Sequence, residues 1–128
     1  IVNILVVGGA GYVGGGIVDK LKDNHHVTVY DSLIYEESFR KDVDFVYGDV
    51  RDHEKLKKLL DKNDAVIWLA ALVGDGACAI NPELTFEINA ESVRFLAQNF
   101  KKRIVFLNIA NNSKICLLRY TLGVIYYV

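Results

Sequence analysis

Gly8, Gly11 and Gly14 follow directly on an apolar run, residues 1–7, in the stretch Gly8-Gly-Ala-Gly-Tyr-Val-Gly14. Such a run reads as a buried parallel strand. Glycines placed straight after it force a tight turn into a helix and leave backbone N–H groups facing an anion such as a pyrophosphate. The spacing is G-x-x-G-x-x-G rather than G-x-G-x-x-G. In this reading Gly8 permits the bend, Gly11 lets a phosphate approach the backbone, and Gly14 lets the helix pack closely on the strand. Tyr12 and Val13 belong to the same turn. The alternative is that the glycines serve any turn needing a positive φ. Gly15 and Gly16 extend the run into the first helical turn, where each costs about 1 kcal/mol relative to alanine, so they are expected to be close-packing positions.

Asp31 stands seventeen residues after Gly14, where a carboxylate accepts hydrogen bonds from adenosine ribose hydroxyls and repels a 2′-phosphate. Neither Ser32 nor Leu33 supplies an arginine for such a phosphate, and Arg40 is the nearest, so NAD is expected over NADP. Asp31 has a second reading as a turn cap. In Gly48-Asp-Val-Arg-Asp52, Asp49 is a candidate acceptor for the adenine amine, with Val50 packing on the ring. An N-cap is the alternative for Asp49, although Asp52, just before His53-Glu-Lys-Leu56, suits that task better. Leu69, Ala70, Ala71 and Leu72 end a further strand, and their small members let the middle of a cofactor pass near the backbone; ordinary packing would use the same residues.

Positioning these groups requires strands alternating with helices. Val13, Ile17 and Leu21 recur at helical spacing, Asp23 and Asn24 stop that helix, and residues 26–30 are β-branched and strand-like. Residues 44–50 read as a third strand, Leu56, Leu59 and Leu60 give a short helix its apolar stripe, and residues 65–71 read as a fourth, fully buried strand. Asn81 as N-cap and Pro82 at the first position start a longer helix with Leu84, Ile88, Phe95, Leu96 and Phe100 on its core face. Lys101, Lys102 and Arg103 end it near the negative pole of its dipole, and residues 103–110 are strand five. The pattern predicts an α/β fold of Rossmann type: a doubly wound parallel sheet, helices on both faces, ligand beyond the carboxyl ends of the strands.

The 128 residues suit one domain with a substantial core, since 52% are apolar and one is proline. Fifteen basic against sixteen acidic residues give a net charge of −1, which excludes nucleic-acid recruitment by a global field. Cys78 and Cys116 lack metal or CxxC spacing and read as buried, reduced thiols of a cytoplasmic protein. His25, His26 and His53 show no metal spacing and are expected to be solvated surface residues, so no metal is assigned. Residues 115–128, interrupted by Arg119, are too short to span a bilayer, and the first strand lacks the positive leader of a signal peptide, so no membrane partner is expected.

Taken together, Gly8-Gly-Ala-Gly-Tyr-Val-Gly14, Tyr30-Asp31, Gly48-Asp-Val-Arg-Asp52, Val66-Ile-Trp-Leu-Ala-Ala71 and Asn81-Pro-Glu-Leu with Asn89 resemble the NAD-dependent epimerase/dehydratase family, the extended short-chain dehydrogenases. The likeness covers residues 1 to about 107, and the run 72–83 looks like the sugar-epimerase branch. It implies a Rossmann domain holding NAD, transient hydride transfer on a nucleotide-linked sugar, and pairing through helices into a homodimer. The family's chemistry needs a tyrosinate with a lysine four residues later, and no Tyr-x-x-x-Lys occurs in this chain. Asn108-Ile-Ala-Asn-Asn112 stands where a Ser/Thr-rich stretch is expected, Ser113 is displaced, and Trp68 replaces a common histidine. Residues 114–119 resemble the family's sixth strand, so a catalytic segment between about Ala110 and Lys114, and a substrate domain past residue 128, are expected to be missing. No catalytic residue is therefore assigned. The alternative reading is a non-catalytic NAD-binding sensor or regulatory module that has lost the dyad; a flavodoxin-like phosphate site is disfavoured because it leaves Asp31 without a ribose.

Overall fold

A computed structural model describes residues 1–34, 38–39, 41–72 and 79–107. Arg40, Cys78, Cys116, Ser113, residues 108–110 of the expected fifth strand and the stretch 114–119 lie outside the described residues. Strand β1 (Asn3–Val7) leads through the glycine turn to α1 (Tyr12–Leu21), β2 (His26–Asp31) and β3 (Asp44–Tyr47). Then come α2 (His53–Lys62), β4 (Ala65–Trp68), α3 (Pro82–Phe86), a π-helical turn (Glu87–Glu91), α4 (Ser92–Asn99) and β5 (Arg103–Phe106).

The strands form one parallel sheet in the order β3-β2-β1-β4-β5. The chain builds outward from β1 on one side, then returns to lay β4 on its other flank. That reversal opens a crevice beyond the carboxyl ends of β1 and β4. Alternating residues face opposite layers, and both faces are apolar. Leu5, Val7, Tyr30, Val66 and Trp68 pack with Leu56 and Leu60 of α2 and with Val93 and Leu96 of α4. Ile4, Val6, Val27 and Val29 pack with Val18 of α1 and with Phe39, Val43 and Phe45. Burying each such side chain contributes about 1.5–3 kcal/mol, and because helices cover both faces the strands carry apolar residues on both.

Several boundaries differ from the sequence expectation. The third strand ends at Tyr47, not Val50, because the Asp49 carboxylate takes the Arg51 amide at 2.8 Å and the Asp49 carbonyl takes the Asp52 amide at 3.0 Å, turning the chain. The fourth ends at Trp68 rather than Ala71; the indole N–H of Trp68 donates to the Ala70 carbonyl at 3.1 Å and folds the chain back on the ring. On α1 the buried positions are Gly14 and Val18, whereas Val13 is exposed. The long helix is not one regular α-helix, since the π turn widens it between Ile88 and Val93, both buried. Asn81 caps its start as expected, accepting the Leu84 amide at 3.0 Å, and Lys101 donates to the Ala97 carbonyl at its end, 2.7 Å.

Candidate functional site

Strand register decides which residues meet at the crevice. Val7 pairs with Tyr30 on one side and Trp68 on the other, and Asp31 pairs with Tyr47. The residues that follow, Gly8, Asp31, Gly48 and Leu69, therefore emerge side by side at one sheet edge. They border a cleft of about 310 Å3. Its floor and first wall carry Gly8, Gly11, Tyr12, Val13 and Gly14; its second wall carries Asp31, Ser32, Asp49 and Val50; its third carries Leu69, Ala70, Ala71 and Leu72. All the candidate cofactor residues thus line a single cleft. Sequence reasoning passed over Tyr30, Ile34, Gly48 and Ile88, which also line it.

The glycine turn is compact for reasons visible atom by atom. Gly8 has φ +82°, and a Cβ there would lie 2.7 Å from the Ala70 nitrogen, so a side chain is excluded by backbone shape and by the third wall. A Cβ on Gly14 would lie 2.6 Å from the Gly9 Cα. Gly14 thus lets α1 pack on the turn itself, through Gly9, and not on the strand as expected. Gly11 is different: its φ of −72° suits any residue, and a Cβ would meet only the Gly8 carbonyl oxygen at 3.8 Å. The protein's own atoms leave space above it. Gly15 and Gly16 are not close-packing positions. The first faces only the end of the Lys41 side chain, and the second has nothing within 4 Å.

Electrostatics single out the same turn. Gly11 is the N-cap of α1 and makes no side-chain cap, no acidic residue lies in the first turn, and the first intrahelical bond runs from the Gly15 amide to the Gly11 carbonyl, 2.8 Å. The leading amides and the positive end of the helix dipole therefore face the cleft without a protein anion in the cap.

Asp31 is held from two directions, its Oδ2 accepting the Ala10 amide at 3.0 Å and its Oδ1 the Leu33 amide at 2.8 Å. The turn-cap reading is correct for the second bond, which also secures Leu33 at an unusual φ of +56°. Each oxygen retains one further acceptor site, and Asp31 lines the cleft. Asp49 is clamped by Arg51, which donates from Nε to Oδ1 at 3.0 Å and from Nη2 to Oδ2 at 2.7 Å. The guanidinium holds the Asp49 carboxyl below the usual carboxylate range, and is itself raised above its ordinary value by that carboxylate first and by Glu87 after it. Asp52 takes the N-cap role assigned to it, accepting the Lys55 amide at 3.1 Å.

The buried Tyr30 donates its hydroxyl to the Asp49 carbonyl at 2.6 Å. Its pKa is pushed up to about 12, by burial first and then by the charges of Asp52 and Asp49, so it stays a neutral strut and not a proton acceptor. The Tyr30 ring would also lie 2.5 Å from a Cβ on Gly48, which explains the glycine there. Trp68 is wholly buried and supports the third wall through Ala70 without lining the cleft. Asn89 braces the same wall, its side-chain oxygen accepting the Leu72 amide at 2.8 Å and its nitrogen donating to the Leu72 carbonyl at 2.9 Å. The histidines correct the surface expectation in part: His25 accepts the Val2 amide at 3.3 Å and His53 stacks on Phe95 with centroids 4.3 Å apart. Among the described residues no cluster of three metal-ligating side chains occurs, and no helix is long and apolar enough to cross a membrane.

Residues 4–111 match the family model described as NAD dependent epimerase/dehydratase family. The chain belongs to the NAD-dependent epimerase/dehydratase family. UDP-glucose 4-epimerase of Neisseria meningitidis serogroup A is 29% identical over 123 residues, covering 87% of this chain and 36% of that protein. A putative UDP-glucose 4-epimerase of Methanocaldococcus jannaschii is 36% identical over 90 residues, covering 67% of this chain and 30% of that protein. Among solved structures, UDP-glucose-4-epimerase of Stenotrophomonas maltophila with bound NAD and formylated UDP-arabinopyranose aligns with a TM-score of 0.75 at 28% identity, over 91% of this chain and 40% of that one. The Bordetella bronchiseptica enzyme WbmF in complex with NAD+ gives 0.73 and 28%, over 93% and 39%. The chain thus spans well under half the length of these relatives.

Proposed function

We propose that the cleft binds NAD and that residues 1–128 supply the cofactor domain of a nucleotide-sugar epimerase or dehydratase. The observation that carries this is the uncapped start of α1 under the open space at Gly11, with Asp31 at the adjoining strand end. The leading amides would hold the pyrophosphate, and Gly11 would leave it room. Asp31 would take the two adenosine ribose hydroxyls on its two remaining acceptor sites. Asp49 and Val50 would flank the adenine, and the Leu69 to Leu72 wall would run beside the middle of the molecule. Bound there, NAD would supply transient hydride acceptance from a sugar carbon.

The chain's own residues bind and orient. Tyr30 holds the adenine wall through Asp49, and Asn89 holds the opposite wall through Leu72. Relatives named for UDP-sugars support a nucleotide-linked sugar as substrate; a cytoplasmic location and a homodimer are part of the proposal. Because no Tyr-x-x-x-Lys occurs in these residues, the proton transfer is assigned to none of them, and a non-catalytic NAD-binding module is the second reading the sequence favours. Turnover of a UDP-sugar by the full-length protein distinguishes the two.

Melting with NAD and with NADP tests the cofactor assignment. NAD at a hundredfold its Kd should stabilise the protein by about 2.7 kcal/mol, with a much smaller shift from NADP at the same concentration. Equal shifts would overturn the role given to Asp31.

A further inference from the structure

Asp49 differs from Asp31 in how many acceptor sites it has left. A carboxylate offers about four, two on each oxygen. On Asp49, Oδ1 is filled by the Arg51 amide at 2.8 Å and by Arg51 Nε at 3.0 Å, while Oδ2 takes Arg51 Nη2 at 2.7 Å. One site remains, on Oδ2. The clamp is itself anchored, since Arg51 Nη1 reaches Glu87 on the π turn at 3.4 Å. Just before Arg51 in the chain, the Asp49 carbonyl takes the Tyr30 hydroxyl and the Val50 carbonyl takes Ser92 Oγ at 3.2 Å. The direction of that last lone pair is thus set by three elements.

We propose that Arg51, braced by Glu87, is a positioning residue that reduces Asp49 to a single oriented acceptor and so makes the cleft selective for a 6-aminopurine over a 6-oxopurine. This rests on the assignment of the cleft to a nicotinamide dinucleotide. An exocyclic amine donates to the one free site, whereas a 6-oxo group brings lone pair against lone pair. Without the guanidinium, the carboxylate keeps only the residue-51 amide on Oδ1, regains two acceptor sites and so has three open in place of one. It can then take the N1–H of the oxo base about as readily as the amine.

The test is calorimetric titration of the full-length protein with NAD and with nicotinamide hypoxanthine dinucleotide. Wild type should prefer the adenine form by about tenfold, as expected for one hydrogen bond to a charged group. Arg51→Ala should bring the ratio of the two affinities close to one. Arg51→Lys, which keeps the charge but not the planar fork, should leave the ratio collapsed. A purely structural role would lower both affinities together and keep the ratio, and that result, or recovery of the ratio by lysine, overturns the proposal. Glu87→Gln leaves the clamp and cuts only its outer tie, so it reads the same effect in a fold with Arg51 in place: the preference should fall about twofold, and an unchanged preference overturns the brace. Wild-type protein that binds neither dinucleotide refutes the cofactor assignment itself, an outcome distinct from NAD binding with a ratio indifferent to Arg51.

Discussion

Two helices begin at the same end of the sheet and begin in opposite ways. The start of α2 is closed: Asp52 accepts the Lys55 amide, and Glu54 adds negative charge to the first turn. The start of α1 is open, with glycine at the cap, no side-chain bond and no acidic residue in the first turn. A capping side chain in place of glycine is worth about 0.3 kcal/mol, so the open helix forgoes a little stability that the closed one has. What α1 has in exchange is an uncapped end lining a cleft. The uncapped terminus, beside one capped in the ordinary manner, is where the proposed dinucleotide would place its anion.

The contrast can be broken most severely at Gly8. Gly8→Val combines a left-handed backbone with a clash on the Ala70 nitrogen, and should destabilise the protein by about 3 kcal/mol in denaturant unfolding. A loss under about 1 kcal/mol would mean that the turn and the third wall are not in contact.

The sharpest test converts the open helix into a closed one. Gly11→Asp fits the backbone and meets only the Gly8 oxygen at 3.8 Å, so the fold should tolerate it. It should gain about 0.3 kcal/mol of stability from capping. NAD affinity should fall about a hundredfold, because the new carboxylate lies where the pyrophosphate would. Retained affinity, measured by calorimetry, would separate the α1 terminus from ligand binding.

The reverse change, Asp52→Ala, opens the closed helix. It should cost about 1 kcal/mol of stability and leave the preference for NAD over NADP unaltered. Smallest of all, Gly16→Ala sits where nothing lies within 4 Å and should raise stability by about 0.5–1 kcal/mol without touching the cleft. Destabilisation by this substitution would show that the second half of the glycine run is packed after all.

Much of this arrangement was legible beforehand. Gly8, Gly11 and Gly14 announce the turn through spacing, Asp31 through its distance from them, and Asp52 and Asn81 through cap chemistry; each signal is local. Other features were hidden because they depend on partners remote in sequence. Gly14 reads as a helix-to-strand contact until Gly9 is seen against it, and Gly15 and Gly16 read as packed until the first is found to face only a lysine end and the second nothing. The π turn leaves one faint trace, the five-residue step from Ile88 to Val93, which a 3.6-residue period cannot separate from neighbouring apolar positions. Arg51 has a visible charge, but its clamp on Asp49 and its tie to Glu87 are consequences of how the chain turns.

The order of strands and helices, the parallel sheet they imply and the glycine at the start of the first helix follow from the sequence alone, since periodicity, caps and glycine act over a few residues. Tertiary structure alone decided how many acceptor sites each aspartate retains, which glycines are irreplaceable and which walls share a brace. Those properties belong to atoms that meet only when residues tens of positions apart, such as Gly8 and Ala70 or Arg51 and Glu87, are brought together by packing.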